Sequence, residues 1–220
     1  MVTPLSSQLI DLCAAVLLLL SFSMLSQRRV LTLVDLFALQ GGTLFVSIVV
    51  VAWNTHQYQL FYSAALTLVL KVIFLPLILN RLIRRLGAQW ETETLLNASA
   101  TMLIGLLLVI FAFTLAEPIS RLASTITRST LGIALAIVML SFLMMITRRK
   151  AVTQVIGFLA MENGLFFAAT SATYGMPMVV ELGVALDVLV GMVILGVFFF
   201  HIREQFDSLD LHNLESLKED

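Results

Sequence analysis

Long apolar stretches alternate with short polar breaks along this chain, and the stretches are of one characteristic length. A helix needs about 20 apolar residues to cross the hydrocarbon of a bilayer. Seven segments meet that length, at residues 8–26, 30–53, 59–83, 96–116, 129–147, 151–173 and 178–202. The breaks hold charges or turn residues: Ser26-Gln27-Arg28-Arg29, Asn54-Thr55-His56-Gln57, Arg81 to Glu93, Glu117-Pro118, Thr147 to Lys150, and Tyr174-Gly175-Met176-Pro177. The runs are too long, and too poor in strict alternation, for the strands of a closed barrel. The pattern therefore predicts an all-α, polytopic membrane protein of seven transmembrane helices, residues 8–26 included as a retained span.

Three ionisable residues interrupt the interiors of these runs: Lys71, Glu162 and Asp187. A charge at bilayer depth costs roughly 2.5–3.5 kcal/mol on insertion scales. Orientation lets their depths be compared. Arg28, Arg29, Arg81, Arg84, Arg85, Arg148, Arg149, Lys150, Arg203 and Lys218 fall on one side, against Arg121 and Arg128 on the other. The positive-inside rule then expects a periplasmic N-terminus and a cytoplasmic C-terminus in a bacterial inner membrane. At 1.5 Å per residue, Lys71 in the third helix, Glu162 in the sixth and Asp187 in the seventh all fall roughly 14–18 Å from a surface. One base and two acids at one level suggest a proton or ion path whose members pair inside the protein.

Composition narrows the classes. Hydrophobic residues form 60% of the chain and charged residues 12%, about half the charge of a soluble protein. Mean hydropathy is +1.01. No basic patch suits nucleic acid. The single Cys13 excludes an internal disulfide, and His56, His201 and His212 share no ligand spacing, so no metal site is expected. Nucleotide loops, nucleophile elbows and paired haem-type histidines are absent from the sequence. No cofactor is expected in this chain, and no catalysis by the chain alone.

Each candidate has a local setting. Glu162 lies in Met161-Glu162-Asn163-Gly164, with Gly157 one and a half turns earlier. Small residues allow close helix approach, so this face should meet another helix, with Asn163 as a supporting polar group. Burial disfavours the carboxylate and a nearby Lys favours it, a balance that suits proton exchange; the competing reading is a neutral Glu hydrogen-bonded for packing. Asp187 is flanked by Gly183 and Gly191. Glu181, six residues earlier, is about 240° away around the helix and near the outer surface. Lys71 precedes Pro76, which lacks an N–H and frees the carbonyl of Val72. Asp35 and Gln40 on the second helix are weaker members of the same set, Asp35 being about six residues from the cytoplasmic end.

The layout suggests a parallel repeat. Helices one to three and five to seven each read as helix, basic pair, helix, outer loop and a helix with a central charge. This gives an N-terminal three-helix unit at 1–95, a connector helix at 96–128, a second three-helix unit at 129–203 and a cytoplasmic tail at 204–220.

The second half resembles the small K subunit of respiratory complex I and the C subunit of multisubunit sodium/proton antiporters. Ile156-Gly157, a mid-helix carboxylate and Asn163, then Asp187-Val188-Leu189-Val190-Gly191, carry that resemblance. Leu159 stands where those families place the carboxylate, and Glu162 follows one turn later. The whole chain resembles the hydrogenase-4 component E family, through Leu70-Lys71-Val72 with Pro76, Met161-Glu162-Asn163-Gly164, Glu181-Leu182-Gly183, Asp187 and the ending Asn213-Leu214-Glu215-Ser216-Leu217-Lys218. That resemblance implies a membrane-arm subunit of a formate-hydrogenlyase-type complex. Its partners would be antiporter-like membrane subunits and a peripheral arm holding nickel–iron and iron–sulfur centres. Its role would be ion translocation through Glu162, Asp187 and Lys71, with Glu181 and Asp35 as further members. A purely bridging subunit and a cation/proton antiporter subunit are the alternatives.

Overall fold

The computed structural model describes residues 5–56, 58–85, 94–120 and 125–173, with the single residues Gly183, Gly191 and Val193. Every regular element among them is helical. Hydrocarbon offers no hydrogen-bond partners, so a spanning segment must satisfy its backbone internally, which an isolated helix does. The helices are α1 (Leu5–Ser26), α2 (Val30–Thr55), α3 (Tyr58–Thr67), α4 (Leu75–Arg85), α5 (Ala98–Ser120), α6 (Thr125–Thr147) and α7 (Ala151–Thr173). A seven-residue π-helical segment, Leu68–Phe74, joins α3 to α4, so these three form one span. Among the described residues six helices are long and apolar enough to cross a membrane, and the protein is a membrane protein. The expected span at 178–202 lies outside the described residues, save for Gly183, Gly191 and Val193, each helical.

The polar breaks close as their residues dictate. The Gln27 side-chain oxygen accepts from the Arg28 N–H at 3.0 Å, holding the turn between α1 and α2. His56 ends α2 in the left-handed region, with φ of 54°, a frequent helix terminator. The segment before α5 crosses back to the end of α6: Leu95 N–H donates to the Thr147 carbonyl at 2.9 Å, and Thr94 and Arg148 form an isolated bridge. One boundary differs from expectation. Glu117-Pro118 was expected to break the fourth span, yet α5 continues through Pro118 to Ser120. Proline in the final turn removes a single ladder bond, and at the membrane interface water can satisfy the freed carbonyl.

The chain divides into two compact units, Met1–Val184 and Ala185–Asp220. All seven helices belong to the first. In it α1 packs on α2 and α6, α2 on α7 and the π segment, and α6 on α5 and α7. The core gathers Ala14 and Leu17 of α1, Leu44 and Ile48 of α2, Ile137 of α6 and Phe167 of α7. Close packing of α6 on α7 depends on small residues. A Cβ on Gly157 would stand 2.9 Å from the Met145 side chain and 3.4 Å from the Ser141 carbonyl, and one on Gly164 would stand 2.9 Å from Ile137. Outward-facing Leu19, Leu103 and Leu107 are exposed, as lipid-facing positions should be.

Candidate functional site: a buried lysine–glutamate centre

The site begins with a departure from regular helix. Pro76 has no N–H to give Val72, so the ordinary ladder cannot pass through it. The chain widens instead: the Leu75 N–H reaches the Leu70 carbonyl, five residues back. Such π segments recur at functional sites, because an extra residue per turn re-aims a side chain. Here the re-aimed side chain is Lys71, 1% exposed. Gly41 of α2 makes room for it, since a Cβ there would lie 3.0 Å from Lys71 Cβ and 3.4 Å from its carbonyl oxygen.

Lys71 Nζ donates to Glu162 Oε1 at 3.2 Å and to Asn163 Oδ1 at 2.9 Å. Glu162 is itself 2% exposed and Asn163 fully buried. The ammonium also lies 5.5 Å from the centroid of the Phe166 ring, within cation–π range. Glu162 falls midway along α7, eleven residues from Ala151 and eleven from Thr173. The span joining α3 to α4 likewise places Lys71 near its centre. A buried charge is tolerated only when paired and hydrogen-bonded, and this arrangement supplies both.

The polar contacts continue across the bundle. Asn163 Nδ2 donates to Gln40 Oε1 at 3.1 Å. Gln40 Nε2 donates to Ser21 Oγ at 3.0 Å, and the Ser21 hydroxyl donates to the Leu17 carbonyl at 2.9 Å. The chain links α7, α2 and α1 in one donor direction, so the Asn163 carbonyl oxygen is the end left to face Lys71. An amide has distinct donor and acceptor ends, and fixing one contact fixes the others.

Comparisons with known proteins cover nearly the whole chain. Across 97% of its length the chain is 32% identical to an uncharacterized protein of Mycobacterium tuberculosis, Rv0085, covering 97% of that protein. The chain belongs to the same family as this mycobacterial protein. It is also 23% identical to hydrogenase-4 component E of Escherichia coli strain K12 and of Shigella flexneri, over 96% of this chain and 98% of each of those proteins. The resemblance seen in the motifs thus extends over nearly the full length, and the chain is a distant homologue of hydrogenase-4 component E. No protein-family model matches the chain, and no solved structure matches it.

The candidate residues of this chain divide into three groups. Lys71, Glu162, Asn163 and Gln40 come together, with Pro76 buried just beyond the π segment. Asp35 does not join them: it is exposed on another face of α2. Glu181 and Asp187 lie outside the described residues. Gly183 does pack on the centre, since a Cβ there would stand 2.5 Å from the Phe166 ring; Gly191 is helical and buried.

Sequence reasoning missed one participant in the centre and one buried cation at the end of α1. Ser21 reads as an ordinary small residue in an apolar helix, and only its contact with Gln40 distinguishes it. Arg148 was expected as one of a run of surface charges beside Arg149 and Lys150. It is 2% exposed instead, and its Nη2 donates to the carbonyls of Met24 at 3.2 Å, Leu25 at 3.1 Å and Gln27 at 2.6 Å. A cation on the open carbonyls of a helix C-terminus is favoured by the helix dipole as well as by hydrogen bonds. Burial first, and the neighbouring Arg28 second, lower the guanidinium pKa to about 10, which still leaves it charged at neutral pH. The signal available in the sequence was the unmatched C-terminus of α1, ending in Ser26 and Gln27 with no glycine to cap it.

Proposed function

We propose that this protein is a membrane-arm subunit of a hydrogenase-type complex, in which the Lys71–Glu162 centre takes part in proton translocation coupled to redox chemistry in partner subunits. The observation that carries the reading is the ion pair itself: a lysine and a glutamate, both almost fully buried, meeting at mid-span across different helices. Ionisable groups at that depth are costly, and such groups typically mark ion paths.

The geometry suits a change of protonation at Glu162. When the carboxylate takes a proton, the attraction to Lys71 weakens. The ammonium then keeps Asn163 Oδ1 and the face of Phe166, so it is not left bare. When Glu162 loses the proton, the pair re-forms. Asn163, held by Gln40 and Ser21, is a positioning residue that keeps an acceptor facing Lys71 in both states. Asp187 would be the second exchanging carboxylate and Glu181 a group near the outer surface. The basic-residue count supports a cytoplasmic C-terminus and an inner-membrane location.

Partners in this reading are antiporter-like membrane subunits and a peripheral arm with nickel–iron and iron–sulfur centres. Those groups would sit in the partners. The name of the Escherichia coli and Shigella flexneri relatives supports membership of such a complex.

The test uses assembled complexes reconstituted in vesicles, with proton uptake and redox rate measured together. Glu162→Gln and Asp187→Asn keep shape and remove the exchanging proton. Each is expected to leave assembly intact and to lower coupled proton uptake at least tenfold. Wild-type coupling in both single variants and in the double variant would show that the carboxylates only hold the fold.

A further inference from the structure

A groove of about 690 Å³ runs along the outside of the bundle between α1, α2 and the π segment. Asp35, Ala38, Gly42 and Thr43 of α2 form one wall, Cys13 of α1 and Val72 of the π segment others. The α2 positions follow helical spacing, so they make one continuous face. Its two small residues are four apart, a spacing at which a neighbouring transmembrane helix can approach closely. A Cβ on Gly42 would meet nothing within 4 Å, whereas its neighbour Gly41 is closed against Lys71. A side chain at 42 would thus meet open space within the described part of this chain.

The charge says what should cover the groove. Asp35 is five residues past Val30, the first residue of α2, or about 8 Å along the axis. Its short side chain is exposed on the same face as Leu39 and Val46, both large, apolar and exposed. It makes no hydrogen bond or ion pair with a described residue. The Thr43 hydroxyl is already given to the Leu39 carbonyl at 2.9 Å, so Asp35 is the group on this wall that still needs a partner. At about 8 Å into α2, Asp35 lies near the cytoplasmic edge of the hydrocarbon, where a cation on a docked helix can meet it, as intramembrane carboxylates commonly pair with cations.

We infer that this groove is a docking face for a transmembrane helix of another subunit, which seats on Ala38 and Gly42 and brings a lysine or arginine to Asp35. Asp35 then acts in assembly rather than alongside Lys71. The docking face stands on the groove and on Asp35, independently of what the Lys71 centre does.

The test places a photo-reactive benzoylphenylalanine at Leu39 of the full chain in its native membrane and sequences the cross-linked peptides. The expected product is a membrane-spanning peptide of a different protein with a lysine or arginine in its span. Asp35→Lys should reduce that cross-link at least tenfold, and changing the partner's basic residue to Glu in the Asp35→Lys background should restore it. Asp35→Asn should weaken the cross-link while the isolated chain melts as wild type in mild detergent, which separates lost docking from lost folding. Cross-links only to lipid, only to a second copy of this chain, or to a span without a basic residue would overturn the inference. So would a cross-link indifferent to Asp35→Lys.

Discussion

Replacing Lys71 and Glu162 singly and together tests the energetic account of the centre. Lys71→Met removes the cation that pairs with Glu162, and with it two hydrogen bonds. Breaking a buried pair from one side costs about 3–5 kcal/mol, because a charge is left uncompensated; about 4 kcal/mol is expected here. Glu162→Gln is milder. Lys71 keeps Asn163 Oδ1 at 2.9 Å and the Phe166 face, and the glutamine can offer its own oxygen, so about 2 kcal/mol is expected. If the two sites were independent, the double variant would lose about 6 kcal/mol by simple addition. With both charges gone, only unmade hydrogen bonds remain, and the loss should be about 3 kcal/mol. The expected coupling is therefore about 3 kcal/mol. Equilibrium unfolding in mixed detergent micelles, on matched variants, measures it. A coupling below about 0.5 kcal/mol would refute the claim that the pair is held as a buried ion pair.

Gln40→Leu keeps the volume but strands the Asn163 amide N–H and removes the bond to Ser21; a loss of about 1–3 kcal/mol is expected in the same unfolding assay. If Asn163 is positioned through Gln40, that variant should also lower coupled proton uptake in the reconstituted complex, with assembly unchanged. Gly41→Val forces bulk into a contact already 3.0 Å from Lys71 Cβ. It should cost about 1–3 kcal/mol by overpacking and shrink the Lys71–Glu162 coupling, where an unchanged coupling would show that the π segment is not held by α2. Arg148→Ala removes the donor from three carbonyls at the end of α1. It should cost about 2–4 kcal/mol and expose the turn after Ser26 to proteolysis, with Arg148→Lys recovering part of the loss.

Much of the fold is legible in one dimension because a bilayer imposes a length. The second span, expected at 30–53, is Val30–Thr55, and the sixth, expected at 151–173, is Ala151–Thr173. Depth is legible for a related reason: rise per residue is constant, so Lys71 and Glu162 could be assigned one level from their distance to the helix ends alone. What residue counting cannot supply is the direction each side chain faces around its helix. Gln40 and Asp35 lie on one helix five residues apart, yet packing turns Gln40 into the polar chain and leaves Asp35 outside.

Arg148 and Arg149 make the same point at a helix end. They are adjacent and chemically identical, and the carbonyls of α1 select one for burial while the other stays exposed. Lys71 adds a third case, since its azimuth depends on a π segment that a sequence marks only through Pro76. The sequence by itself determined the membrane class, six of the spans, the mid-span level of Lys71 and Glu162, and the distant likeness to hydrogenase-4 component E. The tertiary structure decided which of those charges meet, because hydrophobicity selects a depth for a helix without selecting its rotation, and rotation is set by the neighbours it packs against.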